Sequence, residues 1–233
     1  MRERFEAVPT AALVDVMDDL GLREQTLPPS IGALAAGMRL AGQAFTVEGR
    51  PSEHGNWDAA IRKTLAMLGD VPAAHVAVYQ CNHDRSAHFG ELSATSLASR
   101  GVAGCVIDGG CRDVRLIEAL GFPVFARFVT PEDSTWRWEV TATREPITIG
   151  TVRIDPGDWV VGDEDGVVAV PAARAEDVLT AAEAKVGTEG LVREAVRDGM
   201  TPLEAFERFR TFELRRPSRA RDRMPRASRA RSR

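Results

Sequence analysis

Apolar residues recur along the first 130 positions with two alternating periods. Leu13, Val16, Met17 and Leu20 fall on one face of a helix that starts at Thr10, positioned as its cap, and stops at Gly21. Residues 22–37, with Pro28-Pro29 and Gly32, read as loop, and Met38 to Val47 as one or two strands around Gly42. A helix is predicted from Trp57 to Leu68, with Ile61, Leu65 and Leu68 on one side, followed by a short apolar strand from His75 to Gln80. Glu91 to Ser99 reads as helix, Val102 to Asp108 as buried strand, Val114 to Leu120 as helix and Phe122 to Val129 as strand.

The rhythm then changes. Ile147 to Ile154, Trp159 to Val161 and Gly166 to Val170 are β-rich, and turn-forming Asp155-Pro156-Gly157-Asp158 and Gly162-Asp163-Glu164-Asp165-Gly166 break them. Pro171 stops the last strand, and helices follow over about 175–198 and 202–214. Strand–helix units followed by a β-rich layer predict a layered α/β sandwich. The predicted organisation is one domain over 1–214 and a disordered extension over 215–233.

Charge is divided between these parts. The net charge is −4. Nine arginines and one aspartate give residues 215–233 a charge of +8, which leaves −12 on the remainder. An acidic body argues against a nucleic-acid-binding surface and confines any phosphate contact to weak ones made by the tail. Cys81, Cys105 and Cys111 are odd in number and lack Cys-x-x-Cys spacing, which argues against a disulfide framework or a thiolate zinc site and fits a reducing cytoplasm. No apolar run suits a signal peptide or a membrane span.

Candidate chemistry concentrates where the apolar run from Val102 to Ile107 ends in Asp108-Gly109-Gly110, followed by Cys111 and the adjacent pair Arg112-Asp113. Opposite charges at the end of a buried strand are costly unless they bind something. Arg112 offers a planar fork to a carboxylate or enolate oxygen, and Asp113 offers oxygens to a hard cation. Glu91 precedes Arg112 by 21 positions and opens a helix whose first N–H groups suit an anion. The other charged and reactive residues have plainer readings: Asp108 as a turn-former, His83, Asp84 and His88 as solvated loop residues near the pocket mouth, and Cys111 as packing. Asp158, Asp163 and Asp165 read as turns rather than a calcium loop.

Five ordered motifs carry a resemblance. They are Gly90-Glu91-Leu92, Gly101-Val102-Ala103-Gly104, Ile107-Asp108-Gly109 with Arg112-Asp113, Phe122-Pro123-Val124-Phe125, and Gly157-Asp158 with Gly162-Asp163 and Asp165-Gly166-Val167. Over roughly residues 8–210 the chain resembles the regulator of ribonuclease activity A (RraA-like) family, which includes the 4-hydroxy-4-methyl-2-oxoglutarate aldolases. The resemblance implies an α/β/β sandwich, assembled as a homotrimer or a hexamer with sites between subunits. It implies that Asp113 ligates Mg²⁺ or Mn²⁺, that Arg112 holds the 2-oxo group of pyruvate, and that backbone N–H groups around Gly90, Leu92 and Ser93 receive the substrate carboxylate. In the aldolases an Asp is followed by twenty residues and then Arg-Asp, and here the position of that Asp is held by Glu91. Glu189 aligns with a Glu contributed by a neighbouring subunit, and His54 falls in a loop that lines the pocket in this family.

The activity so implied is a class II aldolase. It would cleave a 4-hydroxy-2-oxo diacid such as 4-hydroxy-4-methyl-2-oxoglutarate to pyruvate, with oxaloacetate decarboxylation as a side activity. A divalent cation suits a pyruvate enolate, and a chain whose two lysines, Lys63 and Lys185, occupy no recognisable site is ill suited to Schiff-base chemistry. The alternatives are a non-catalytic regulator that binds an RNA-processing protein and a related lyase acting on another small carboxylic acid.

Overall fold

The computed structural model describes residues 1–52 and 57–209; His54 and the Arg-rich tail lie outside the described residues. Helices α1 (Arg2–Ala7) and α2 (Thr10–Asp19) lead to strands β1 (Gly32–Ala33) and β2 (Leu40–Pro51). There follow α3 (Trp57–Asp70), β3 (His75–Gln80), β4 (Ala87–Phe89), α4 (Glu91–Ser99), β5 (Gly104–Cys111), α5 (Val114–Leu120) and β6 (Val124–Val129). The second half comprises β7 (Trp138–Thr143), β8 (Ile147–Ile149), β9 (Val152–Ile154), β10 (Trp159–Asp163), β11 (Gly166–Val170), α6 (Ala175–Arg197) and α7 (Pro202–Phe209).

The main sheet runs β1-β6-β5-β3-β2-β10-β11, with β4 beside β5 and β7 beside β2. Strands β2, β3, β5 and β6 are mutually parallel, whereas β10 and β11 add antiparallel strands. Their burial explains the near-continuous apolar runs. Cys105 and Ile107 of β5, with Ala77 and Tyr79 of β3, face a core that also holds Leu97 of α4 and Ile117 of α5. The intervening Val106, Val76 and Val78 face a second core with Phe125 and the β8–β9 hairpin. Successive strand residues point to opposite faces, and here both faces are covered. Helices on one face and β structure on the other make the layered sandwich predicted from the residue pattern, in the α/β/β form that the resemblance implies. A third core joins α1, α2 and α6 to β10 and β11.

Several local expectations change. Thr10 is not a cap: Pro9 holds that position, and the Thr10 hydroxyl donates instead to buried Asp163 at 2.6 Å, with its N–H on the other oxygen at 2.9 Å. Strand β2 is a single strand through Gly42, while 147–154 divides in two at Gly150 (φ 62°). Strand β5 runs through Gly109-Gly110 to Cys111 rather than ending before them. Asp108 is therefore a mid-strand residue paired with Arg127 at 3.3 Å, not a turn-former. The Asp158 and Asp163 carboxylates accept backbone N–H groups at their turns, the role read from the sequence. Among the described residues, no helix is long and apolar enough to cross a membrane.

Candidate active site

Strands β5 and β6 end side by side, with Cys111 opposite Val129. Ligands of open α/β sheets collect beyond the carboxyl ends of parallel strands, and Arg112 and Asp113 emerge there. The two glycines of β5 make this end possible. A Cβ on Gly109 would lie 2.5 Å from the His88 ring, and one on Gly110 would lie 2.5 Å from the Ser86 carbonyl. Strand β4 can thus lie against β5, and the Arg112 N–H closes the junction on the Phe89 carbonyl at 3.0 Å.

Gly90 has the same logic. A Cβ there would sit 2.7 Å from Asp113 Oδ2 and 3.2 Å from Arg112 Cγ. Its absence lets the start of α4 meet the charged pair directly, and the Glu91 N–H donates to Asp113 Oδ2 at 3.2 Å. Asp113 takes a left-handed backbone (φ 61°) at the N-cap position just before α5 and makes no side-chain cap hydrogen bond there. The Ala94 N–H bonds to the Gly90 carbonyl, so Leu92 and Ser93, which line the cavity, carry N–H groups of that first turn that have no partner within the helix.

The Arg112 guanidinium lies between two carboxylates. Its Nη1 is 2.7 Å from Asp133 Oδ2, and its Nε is 3.6 Å from Asp113 Oδ2. Asp133 was not among the residues singled out by sequence. Its other oxygen accepts the Thr135 N–H and hydroxyl at 2.7 and 2.8 Å. Burial pushes this carboxyl up, but the Thr135 donors and the Arg112 guanidinium together outweigh burial and hold it below the usual range. Arg137 braces the same loop, donating to the Asp133 and Thr135 carbonyls and pairing with Glu132 at 2.7 Å. The available signal was position: 130–135 directly follows the strand beside β5.

Arg112, Gly90, Leu92 and Ser93 line one cavity of about 220 Å³ with Asp133 and three tryptophans, Trp57, Trp136 and Trp138. Glu91 touches the pair through its backbone, while its carboxylate accepts the Thr95 hydroxyl at 2.8 Å. Glu189 lies on α6 and does not line this cavity in the single chain. His88, read as a solvated loop residue, is buried in β4 with its ring against Trp138. Its Nδ1 accepts the Gly110 N–H at 3.2 Å, so its Nε2–H is the donor toward His83 Nδ1 at 3.1 Å. Burial, reinforced by His83 and Arg127, brings its pKa down to about 3, so it is uncharged near neutrality. Cys111 packs as expected, and burial pushes its thiol up to about 12.

The donor set suits a hard cation that retains water. Asp113 receives both of its contacts on Oδ2. Among the described residues, no cluster of three His, Cys, Asp or Glu forms a protein-only cage. Magnesium or manganese, completed by solvent and a chelating substrate, fits this arrangement better than an ion requiring four protein ligands.

Residues 10–169 match the family described as RraA-like, Aldolase/RraA. The chain is 30% identical over 205 residues to a Halalkalibacterium halodurans protein named "Putative 4-hydroxy-4-methyl-2-oxoglutarate aldolase", covering 87% of this chain and 91% of that one. It also resembles the crystal structure of Streptomyces coelicolor RraAS2, titled an unusual member of the RNase ES inhibitor RraA protein family. That match has a TM-score of 0.75 and 28% identity, covering 82% of this chain and 96% of that one. An uncharacterized protein from Pseudomonas syringae matches with a TM-score of 0.78 and 29% identity, covering 87% and 94% of the two chains.

Proposed function

The chain belongs to the RraA-like family, and we propose that within it this protein is a divalent-metal-dependent lyase that cleaves a 4-hydroxy-2-oxo acid to pyruvate and a second oxo compound. The observation that carries this reading is the convergence of Arg112, Asp113 and the first turn of α4 beside a cavity that Arg112 lines and Asp113 does not. When bound, Mg²⁺ or Mn²⁺ withdraws charge from the oxygens of the 2-oxo acid as the enolate develops. Asp113 would hold that ion, in cytoplasm where the three cysteines stay reduced.

The remaining work falls to the chain's own groups. The Leu92 and Ser93 N–H groups receive the substrate carboxylate at a helix start, where an anion is favoured. Arg112 directs its fork to the 2-oxo oxygen, which gains negative charge as the C3–C4 bond breaks. The 4-hydroxyl proton leaves and C3 gains one through water held by the carboxylates of Glu91 and, from a neighbouring copy in a homotrimer or hexamer, Glu189. Oxaloacetate would lose CO₂ by the same electron flow. A substrate-binding role for His54 rests on the family resemblance alone.

A coupled pyruvate assay with 4-hydroxy-4-methyl-2-oxoglutarate and oxaloacetate tests the proposal. Metal-dependent pyruvate release that Arg112→Ala abolishes is expected. Absence of pyruvate from every 2-oxo acid tried contradicts it. The likeness to RraAS2 favours a second reading, a protein-binding regulator. Specific binding to an RNA-processing protein by Arg112→Ala as well as by the native chain would support that reading.

A further inference from the structure

The cavity that begins at Arg112 ends in aromatic walls. Trp57 and Trp136 approach with ring centroids 5.6 Å apart, and both remain substantially exposed, at 44% and 58%. Trp136 also has a left-handed backbone, with φ 70°. That conformation is costly for a bulky L residue, and a ring left mostly in water recovers little of the cost by burial. Strain retained without packing benefit marks a position set by function.

Among the described residues, the cationic and imidazole groups at this end are already committed. Arg112 is the only arginine or lysine among the described residues lining the cavity. Arg137, next to Trp136, is occupied by Glu132 and two carbonyls. His88 is buried and spends both ring nitrogens on Gly110 and His83. Asp133 adds negative charge. Among the described residues, a second substrate carboxylate here would meet indole rings, Ile61 and Leu65 rather than a cation.

We propose that the Trp57–Trp136 end is the subsite for the leaving half of the substrate and that it takes an apolar group, aryl or branched alkyl, in place of the distal carboxylate of a diacid. The proposal rests on the pyruvate-forming reading for the Arg112 end. The preferred substrates are then 4-hydroxy-2-oxo monoacids, cleaved between C3 and C4 to pyruvate and an apolar aldehyde or ketone. The 4-hydroxyl proton is lost and C3 is protonated, so no redox partner is required.

The test compares two analogues that lack the 4-hydroxyl and cannot be cleaved, 2-oxo-4-phenylbutanoate and 2-oxoglutarate. Binding to the full-length protein with excess Mg²⁺ is followed by tryptophan fluorescence and calorimetry. The phenyl analogue should bind about tenfold tighter, the order expected of one aromatic contact. Trp136→Gly, which removes the ring and suits the left-handed backbone, should cancel that preference and leave 2-oxoglutarate affinity within about twofold. Equal or tighter 2-oxoglutarate binding overturns the proposal. So does a Trp136→Gly effect common to both ligands, or one explained by altered oligomeric state in light scattering. Deuterium exchange at the methyl of pyruvate is read in parallel: its absence defeats the pyruvate-forming reading, whereas the binding comparison judges the apolar subsite separately.

Discussion

Arg112 is held by Asp133, a residue 21 positions further along the chain, through a 2.7 Å contact between Nη1 and Oδ2. Because Thr135 fixes the other Asp133 oxygen, this carboxylate orients the fork as well as neutralising it. Asp133 is a positioning residue. Asp133→Ala should lower kcat/KM for pyruvate formation about tenfold, chiefly through KM, because the guanidinium loses its orientation. Asp133→Glu should recover part of the loss. Unchanged steady-state kinetics in Asp133→Ala would remove Asp133 from the site.

Gly90→Ala tests the close approach between α4 and the charged pair. Its new Cβ would press on Asp113 Oδ2 and Arg112 Cγ, and the backbone there (φ −155°) is extended and accepts alanine. Activity should fall about a hundredfold, as for misplacements of about 1 Å at a reacting centre, with little change in the melting temperature. Native activity in the variant would show that the site does not depend on this contact.

His88 links stability to acid. Its folded pKa, about 3, is below the ordinary histidine value of 6.5, so the unfolded chain binds a proton that the folded chain refuses. The contribution is fully present above about 6.5 and is lost progressively as pH falls toward 3. His83, whose pKa is lowered mainly by burial, acts in the same direction. Urea denaturation should show stability falling between pH 6.5 and 4, with a smaller slope in His88→Gln. Identical slopes would place the linkage elsewhere.

Thr10 ties α2 to the turn after β10 through buried Asp163. Thr10→Val removes the hydroxyl donor while keeping the shape and leaves the carboxylate one partner short. A loss of about 1.5–3 kcal/mol is expected from the denaturation midpoint, with activity retained. A loss below about 0.5 kcal/mol would mean that water replaces the hydroxyl without difficulty.

Much of this was readable from residue order for identifiable reasons. Strands β3 and β5 are buried on both faces, so their apolar runs were unmistakable, and adjacent Arg112 and Asp113 were conspicuous at the end of one of them. The three-residue strand β4 was not, because Ala87-His88-Phe89 lies among polar residues and its burial depends on space left by Gly109 and Gly110. Trp138-Glu139-Val140 alternates buried and partly exposed positions, yet strand β7 was overlooked beside the neighbouring turn residues. Asp133 was hidden because it meets Arg112 only when β5 and β6 end together, a tertiary fact absent from local pattern.

The central claim is that Arg112 and Asp113 form a metal-assisted site for the enolate of pyruvate. It is tested most directly by following deuterium incorporation into the methyl group of pyruvate in D₂O by NMR, with and without Mg²⁺ or Mn²⁺. The account predicts protein-dependent exchange that a chelator stops and that Asp113→Ala slows about a hundredfold or more while the protein remains folded. No exchange above the protein-free rate, or exchange indifferent to Asp113→Ala, would contradict it.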